Sequence, residues 1–301
     1  MYKTVTREIR HRFFKTRYEK SLQGVRTLSQ KAPRPKANII FFPGFREHIG
    51  LYGPLLDQFV YEGYNVFGCD PPNHGFSVAD EKNRGFIENF NDYLRVGKAM
   101  AYYRLWSVPY KDIPTYFMGH SLGAVLILRL LELKIPLRKE IRGAVCFSTP
   151  LRVDHNINNW TRVARPLLEF LDPFLKGRNF WDRIPVNLPS QSTLDRFSRD
   201  DNFYKGPLYL RTAQEINKTV IAARESIRKV NIPVLFIHGD KDGIAPLSEV
   251  EKAIKMLPFA NGTLRIVSGY DHHLVGGIRQ GDDTLKRLTA PVMQWIIKNS
   301  H

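Results

Sequence analysis

The segment Gly119-His120-Ser121-Leu122-Gly123 places a serine between two glycines, each two residues away. An apolar run, Thr115–Met118, precedes it and a dense Leu/Ala/Ile segment follows. This order predicts a strand, a sharp turn and a buried helix, with Ser121 at the corner, where both backbones approach closely and side chains must be small. The N–H groups that begin such a helix attract developing negative charge. We therefore predict a nucleophilic serine; the alternative is an ordinary glycine-rich turn.

A serine hydroxyl becomes an effective nucleophile when a histidine takes its proton and a carboxylate orients that histidine. Asp240 and Asp242 follow one late predicted strand, and His272 and His273 follow the next. The chain order of serine, acid and histidine is that of α/β-hydrolases. Both aspartates have an alternative interpretation as turn or helix-capping residues, and Asp154, beyond an earlier strand, is an alternative acid.

Four further histidines lie on predicted loops at the same edge of the molecule: His48, His74, His120 and His238. A lone histidine on a loop most often fixes that loop by hydrogen bonds. We assign these four no chemistry.

Strands and helices alternate along much of the chain. Buried strands are predicted at Asn38–Phe42, Asn65–Cys69, Gly143–Ser148, Pro233–Ile237 and Thr263–Val267, besides the strand before Ser121. Helices are predicted at Leu51–Tyr61, Phe90–Trp106, Leu247–Met256 and Thr284–Ile297, besides the helix after Ser121. This alternation predicts an α/β protein with a mostly parallel sheet, helices on both faces, and ligands beyond the carboxyl ends of the strands.

The alternation stops between residues 151 and 230. This stretch contains no convincing strand and is rich in Trp, Phe, Arg and Pro, with helices expected at Ile157–Leu171 and Tyr209–Lys229. We therefore predict a core made of residues 1–150 and 231–301, interrupted by a mainly helical cap at residues 151–230.

The composition favours a folded, soluble protein, and no metal or redox site is expected. The chain has 301 residues, of which 43% are hydrophobic and 25% charged, enough for a large core. No run approaches the roughly 18 apolar residues that span a bilayer, and no apolar signal segment follows the basic N-terminus, so we expect a cytoplasmic protein. Cys69 and Cys146 lie in predicted buried strands and are expected to be inert thiols, and Asp240–Gly243 resembles a calcium loop too incompletely to bind the ion.

Positive charge is concentrated at the N-terminus. The net charge is +16, and residues 1–36 hold eleven Lys or Arg against two Glu, a local excess of nine. The segment is either a solvated basic edge or a peripheral contact with an anionic membrane surface. Nucleic-acid binding is not predicted, because no reader motif accompanies the charge.

The chain resembles the monoacylglycerol lipase and bacterial lysophospholipase branch of the α/β-hydrolase superfamily. Four parts of the sequence carry this resemblance: Pro43–His48 with Tyr52, Asp70–Ser77, Gly119–Gly123, and the pair His238–Asp242 and Gly269–His272. The resemblance implies that Asp242 is the triad acid and His272 the base, and that the backbone N–H groups of Phe45 and Leu122 hold the oxyanion. Two positions depart from the usual pattern: Pro43 stands where the branch usually has histidine, and His273 where a glutamate often follows the catalytic histidine.

The predicted function is therefore hydrolysis of a carboxylic ester by a serine hydrolase. The resemblance implies a lipid-like substrate, such as a monoacylglycerol or lysophospholipid, cleaved through an acyl-enzyme intermediate without a cofactor. A serine peptidase, thioesterase or acyltransferase would use the same three residues, since the fold does not determine the leaving group. An inactive binding protein on the same fold is the remaining alternative, although such a protein would more often have lost one of the three.

Overall fold

The computed structural model describes residues 35–107, 113–133, 141–152, 181–183, 185–187, 191–258, 261–275 and 283–300. Three of the features predicted above lie outside these ranges: most of the basic N-terminal segment, the expected helix at Ile157–Leu171, and Asp154.

The described ranges contain eight strands: β1 (Asn38–Phe42), β2 (Asn65–Gly68), β3 (Thr115–His120), β4 (Ile141–Phe147), β5 (Pro185–Asn187), β6 (Leu208–Tyr209), β7 (Val234–Gly239) and β8 (Gly262–Val267). Six of them form one parallel sheet in the order β2-β1-β3-β4-β7-β8. Every strand of this sheet was predicted from the sequence, within two residues at either end. All their carboxyl ends lie at one edge, as parallel strands require.

The same ranges contain seven α-helices: α1 (Gly53–Tyr61), α2 (Asn91–Ser107), α3 (Leu122–Glu132), α4 (Gln191–Arg196), α5 (Leu210–Ser226), α6 (Leu247–Met256) and α7 (Asp283–Lys298). Short 3-10 turns occur at Ile49–Tyr52, Glu81–Asn83, Trp181–Arg183 and Ile227–Lys229. Helices α1 and α7 pack on one face of the sheet, while α2, α3, α5 and α6 pack on the other. The predicted α/β class with helices on both faces is confirmed.

The sheet separates two hydrophobic clusters. In β1, Ile40 and Phe42 point into one cluster, whereas Ile39 and Phe41 point into the other. Because both faces of the sheet are covered, its central strands are continuous apolar runs without polar alternation. Each large side chain buried in this way contributes about 1.5–3 kcal/mol to the free energy of unfolding.

The predicted absence of strands between residues 151 and 230 is wrong. The strands β5 and β6 pair antiparallel there, but they have only three and two residues, too few for a periodic signal in the sequence. The second expected helix is present as α5, and its Val220 and Ala223 join the core cluster beside α3. The division into core and cap remains a prediction.

Gly123 is the glycine on which the close approach of α3 to the end of β1 depends. A Cβ atom at this position would lie 2.0 Å from the backbone oxygen of Phe42, which cannot move without disturbing β1. We expect Gly123→Ala to lower the free energy of unfolding by about 3 kcal/mol, as severe overpacking does. Gly243→Ala is the matched control, because a Cβ there meets nothing within 4 Å. Urea unfolding of both variants tests this, and equal stabilities would contradict it.

Candidate active site

Ser121 occupies a strained turn between β3 and α3. Its backbone has φ 51° and ψ −119°, a left-handed conformation that is costly for a residue with a side chain. Its N–H donates to the backbone oxygen of Phe147, the last residue of β4, at 2.9 Å. The turn thus fixes Ser121 at the carboxyl edge of the sheet, as the sequence predicted.

His272 lies on the loop after β8 and reaches Ser121 across the sheet edge. Its Nε2 atom is 2.8 Å from the Ser121 Oγ, and its Nδ1 atom is 2.9 and 3.0 Å from the two carboxylate oxygens of Asp242. Because a carboxylate accepts, Nδ1 carries the proton and Nε2 is free to accept from the serine hydroxyl. Burial lowers the pKa of His272, the Asp242 carboxylate opposes this, and nearby His120 adds to the lowering.

Asp242 lies on the loop after β7, and its side chain is 0% exposed. Besides His272, its carboxylate accepts from the backbone N–H groups of Ile244 at 2.9 Å and Ala245 at 2.8 Å, and His238 Nε2 lies 3.2 Å away. Burial alone would raise the pKa of Asp242, but hydrogen bonds from His238 and His272 hold it well below its usual range. The group is therefore an ionised carboxylate with a fixed orientation.

Asp240, unlike the buried Asp242, lies at the surface. Its exposed carboxylate accepts from the Ser268 hydroxyl at 2.9 Å and from the Gly269 N–H at 2.6 Å, across the turn that leads to His272. The structure therefore gives Asp240 the turn-stabilising role that was the alternative interpretation for both aspartates.

His273 points away from the nucleophile. Its ring packs edge-on against Phe197, with centroids 5.3 Å apart, and its Nδ1 lies 3.7 Å from a carboxylate oxygen of Glu47. Of the two adjacent histidines, it is His272 that the loop brings to Ser121.

The two backbone groups implied as oxyanion donors lie on either side of the nucleophile. Leu122 follows Ser121 at the start of α3, and the loop that carries Phe45 approaches so closely that a Cβ on Gly44 would lie 3.0 Å from the Ser121 Cβ. Among the residues that the structure describes, neither the Phe45 N–H nor the Leu122 N–H donates to a protein acceptor. Both are therefore available to a ligand.

The four histidines make the hydrogen bonds predicted for them, but two of them, His120 and His238, lie at the ends of β3 and β7 and not on loops as predicted. Their partners are Asp200 for His48 at 2.9 Å, the Pro72 oxygen for His74 at 2.9 Å, the His272 oxygen for His120 at 2.8 Å, and the Ala245 oxygen for His238 at 2.8 Å. Three of these bonds fix loops at the carboxyl edge, and that of His48 reaches the segment beyond α4.

Sequence reasoning missed Glu47 as an individual residue of the site, although it lies within the segment that carried the resemblance. This carboxylate is only 1% exposed and lies between the Phe45 loop and His120. Its type and its position in a polar loop give no signal of burial, because the burial arises only when separate parts of the chain meet.

Residues 196–206 form one rim of the site. Arg46, at φ 72°, donates through its guanidinium to the backbone oxygen of Tyr204 at 3.1 Å, and Tyr204 N–H donates to the Arg46 oxygen at 2.9 Å. Arg196 pairs with Asp271, beside His272, at 3.0 Å. This part of the stretch assigned to the cap therefore contacts the loops that carry both Phe45 and His272.

In the part of the chain that the structure describes, no group of three or more His, Cys, Asp or Glu side chains is placed to bind a metal ion. Cys69 and Cys146 are buried and unpaired. None of the described helices combines the length and apolar character needed to cross a membrane.

The sheet order, the strained serine turn and the loops that meet it define an α/β-hydrolase. Residues 33–277 match the family described as "Serine aminopeptidase, S33", and the chain belongs to this family. Caffeoylshikimate esterase of Arabidopsis thaliana is 24% identical over 254 residues, covering 82% of this chain and 73% of the relative. A monoglyceride lipase homolog of Monkeypox virus is 23% identical over 266 residues, covering 87% and 90%.

A solved structure shares the architecture. A soluble variant of monoglyceride lipase from Saccharomyces cerevisiae, in complex with a substrate analog, superimposes with a TM-score of 0.70 at 20% identity and covers 94% of each chain. Together these findings confirm the predicted resemblance to the monoacylglycerol lipase branch and the prediction that the protein is a hydrolase.

The low pKa of Asp242 predicts a pH-dependent contribution to stability. The group titrates near pH 3.9 in an unfolded chain and lower in the folded protein, so its contribution is complete above that pH and declines below it. We expect the difference in free energy of unfolding between the wild type and Asp242→Asn to stay constant from about pH 6 to about pH 4.5 and to shrink from there to about pH 3. Urea unfolding across this range measures it, and a difference that is constant over the whole range would contradict the expectation.

Proposed function

We propose that the protein is a serine hydrolase that cleaves a carboxylic ester of a lipid-like substrate, such as a monoacylglycerol or lysophospholipid. The observation that carries this proposal is the continuous hydrogen-bonded chain from Ser121 Oγ through the His272 ring to Asp242, with links of 2.8 and 2.9 Å. This chain joins a nucleophile, a base and an orienting acid in the geometry that acyl transfer requires.

The mechanism has two halves. In the first, His272 Nε2 takes the hydroxyl proton as Ser121 Oγ attacks the ester carbonyl, and the carbonyl oxygen becomes an oxyanion held by the N–H groups of Phe45 and Leu122. The His272 imidazolium then gives its proton to the departing alcohol, leaving an acyl group on Ser121. In the second half, His272 takes a proton from water, which attacks the acyl group and releases the carboxylic acid. Asp242 stays ionised throughout and stabilises the imidazolium.

The preference for an ester rests on two supports. The relatives cited above include proteins named for monoglyceride and caffeoylshikimate, which are esters. The second support is chemical: an ester expels an alkoxide, which is far less basic than the nitrogen anion that a peptide would expel, so an ester makes the smaller demand on the proposed triad and on the proposed oxyanion donors Phe45 and Leu122.

Aminopeptidase activity is the second candidate, favoured by the description of the family. Such an enzyme binds the positively charged amino terminus of a peptide, which calls for a carboxylate without another partner. The described carboxylates around the nucleophile already have partners: Asp242 with His272, Glu47 with His120, Asp200 with His48, and Asp271 with Arg196. This pairing favours the ester hydrolase.

Two further features remain predictions. The first is the cap at residues 151–230, of which only parts lie in the described ranges. The second is a peripheral contact between the basic N-terminal segment and an anionic membrane, because residues 1–34 lie outside those ranges.

A Ser121→Ala variant tests the nucleophile. We expect it to lose fluorophosphonate labelling and hydrolysis of a series of p-nitrophenyl esters and monoacylglycerols, since the proposed acyl acceptor is removed. The wild type is expected to hydrolyse these esters and to leave aminoacyl p-nitroanilides intact. Circular dichroism of the variant controls for folding. Retained labelling would overturn the nucleophile assignment, and turnover of the anilides alone would favour the peptidase.

Substitution of the two adjacent histidines tests the base. We expect His272→Ala to lower kcat by roughly 10⁶-fold, the effect found when a hydrolase triad loses its histidine. His273→Ala serves as the matched control and should retain most of the activity, because its ring does not reach Ser121. Steady-state kinetics on one ester substrate measures both, and the reverse order would move the base to His273.

A further inference from the structure

Glu47 is a buried carboxylate at the centre of a hydrogen-bond network beneath the site. It lies on the loop after β1, and its side chain is 2% exposed. Its Oε2 atom accepts from the Gly44 N–H at 2.6 Å, from the Tyr52 hydroxyl in a short hydrogen bond, and from His120 Nδ1 at 3.0 Å. A carboxylate removed from water in this way is retained only where its charge is compensated.

His120 is the last residue of β3 and directly precedes Ser121; its side chain is 0% exposed. Its Nε2 atom lies 2.8 Å from the backbone oxygen of His272. Its Nδ1 atom lies 3.0 Å from the carboxylate of Glu47 and 2.9 Å from the Tyr52 hydroxyl oxygen. His120 therefore links the Glu47 loop to the loop that carries the proposed base.

The protons of this network can be counted. A carbonyl oxygen only accepts, so the bond to the His272 oxygen requires a proton on Nε2 of His120. The single hydroxyl proton of Tyr52 is used in the bond to Glu47, and Oε2 of Glu47 already accepts from Tyr52 and from the Gly44 N–H and so acts as an acceptor toward His120 as well. The bonds at Nδ1 therefore require a second ring proton. Two ring protons make His120 an imidazolium, paired with an ionised Glu47.

We infer that the buried Glu47–His120 ion pair positions both the oxyanion donor at Phe45 and the base at His272, so that Glu47 and His120 are positioning residues of the reaction. This inference rests on the proposed function. Glu47 fixes Gly44, the residue before Phe45, while His120 fixes the backbone of His272. Because His120 also precedes Ser121, one ion pair ties together three separate parts of the site.

The Glu47–His120 ion pair also affects the protonation state of His272, the proposed base. The rings of His120 and His272 have centroids 5.2 Å apart, and those of His120 and His273 are 6.2 Å apart. Burial lowers the pKa of His272, Asp242 opposes this, and the charge of His120 lowers it further. Burial would raise the pKa of Glu47, but the charge and hydrogen bond of His120 hold it well below its usual range. The ion pair thus favours a neutral His272, which is the form that accepts the serine proton.

A Glu47→Gln variant tests the inference, because the amide keeps the shape and an acceptor for Gly44 N–H but removes the charge. Without that charge His120 becomes neutral, and we expect the acid limb of the kcat/KM profile to move to higher pH by about one unit. We expect kcat at the optimum to fall by roughly 10²-fold, the effect of a misplacement near 1 Å, with little change in KM. A purely structural role would lower the yield or stability without moving the acid limb.

Glu215→Gln is the matched control. Glu215 on α5 is also a buried carboxylate that accepts a backbone N–H, that of Phe90 at 2.8 Å, and pairs with a cation, Arg211, at 3.4 Å. We expect this variant to lose stability and to keep the wild-type pH profile. A folded Glu47→Gln enzyme whose acid limb coincides with that of Glu215→Gln would overturn the inference.

Nitrogen-15 NMR of the histidine side chains in the wild-type protein keeps the test decisive if Glu47→Gln does not fold. We expect both ring nitrogens of His120 to carry protons at pH 8, and an unprotonated ring nitrogen would overturn the inference. Fluorophosphonate labelling of wild-type Ser121 distinguishes failure of the proposed function from failure of the inference about Glu47 and His120. If labelling fails, the proposed function fails whatever the state of His120; if labelling succeeds and His120 is neutral, the inference alone fails.

Discussion

The close approach of strand β3 to helix α3 is the constraint on which the site depends. A Cβ on Gly119 would lie 2.9 Å from the backbone carbon of Gly123, and Ser121 between them is held at φ 51°. Such a conformation persists only where the surroundings determine it, here through the packing of α3 and the hydrogen bond to Phe147. The serine therefore has little freedom to adjust, and the groups that act with it must be brought to its position.

The parallel sheet brings these groups to Ser121, since the loops after β1, β7 and β8 all leave from the same edge of the sheet as Ser121. Polar hydrogen bonds, more than apolar contacts, then fix each loop. Asp242 accepts two N–H groups of its own loop, Asp240 holds the turn before His272, and Glu47 holds Gly44. Networks whose members all have partners impose one geometry, which apolar packing would specify less strictly.

The parts of the structure that the sequence predicted are those with a local signal. The central strands of the sheet are largely apolar runs, and the serine turn has glycines at fixed spacing, so both are visible without tertiary information. The strands β5 and β6 are too short for such a signal. The choice of Asp242 over Asp240 came from the family resemblance. The contacts explain it: the Asp240 carboxylate binds Gly269 at the surface, whereas the Asp242 carboxylate points inward and binds His272.

Glu47 marks the limit of sequence reasoning for a physical reason. A glutamate between an arginine and a histidine in a polar loop has every feature of a solvated residue, and its burial is created only by the meeting of β1, β3 and the His272 loop. Burying an ion pair requires stripping water from two charges, so an apolar replacement of similar volume is often as stable or more so. An apolar pair would, however, leave the Gly44 N–H and the His272 carbonyl without partners and both loops free to shift. We therefore interpret the ion pair as a feature maintained for the geometry of the site, at some expense in stability, as is common where activity depends on preorganised groups.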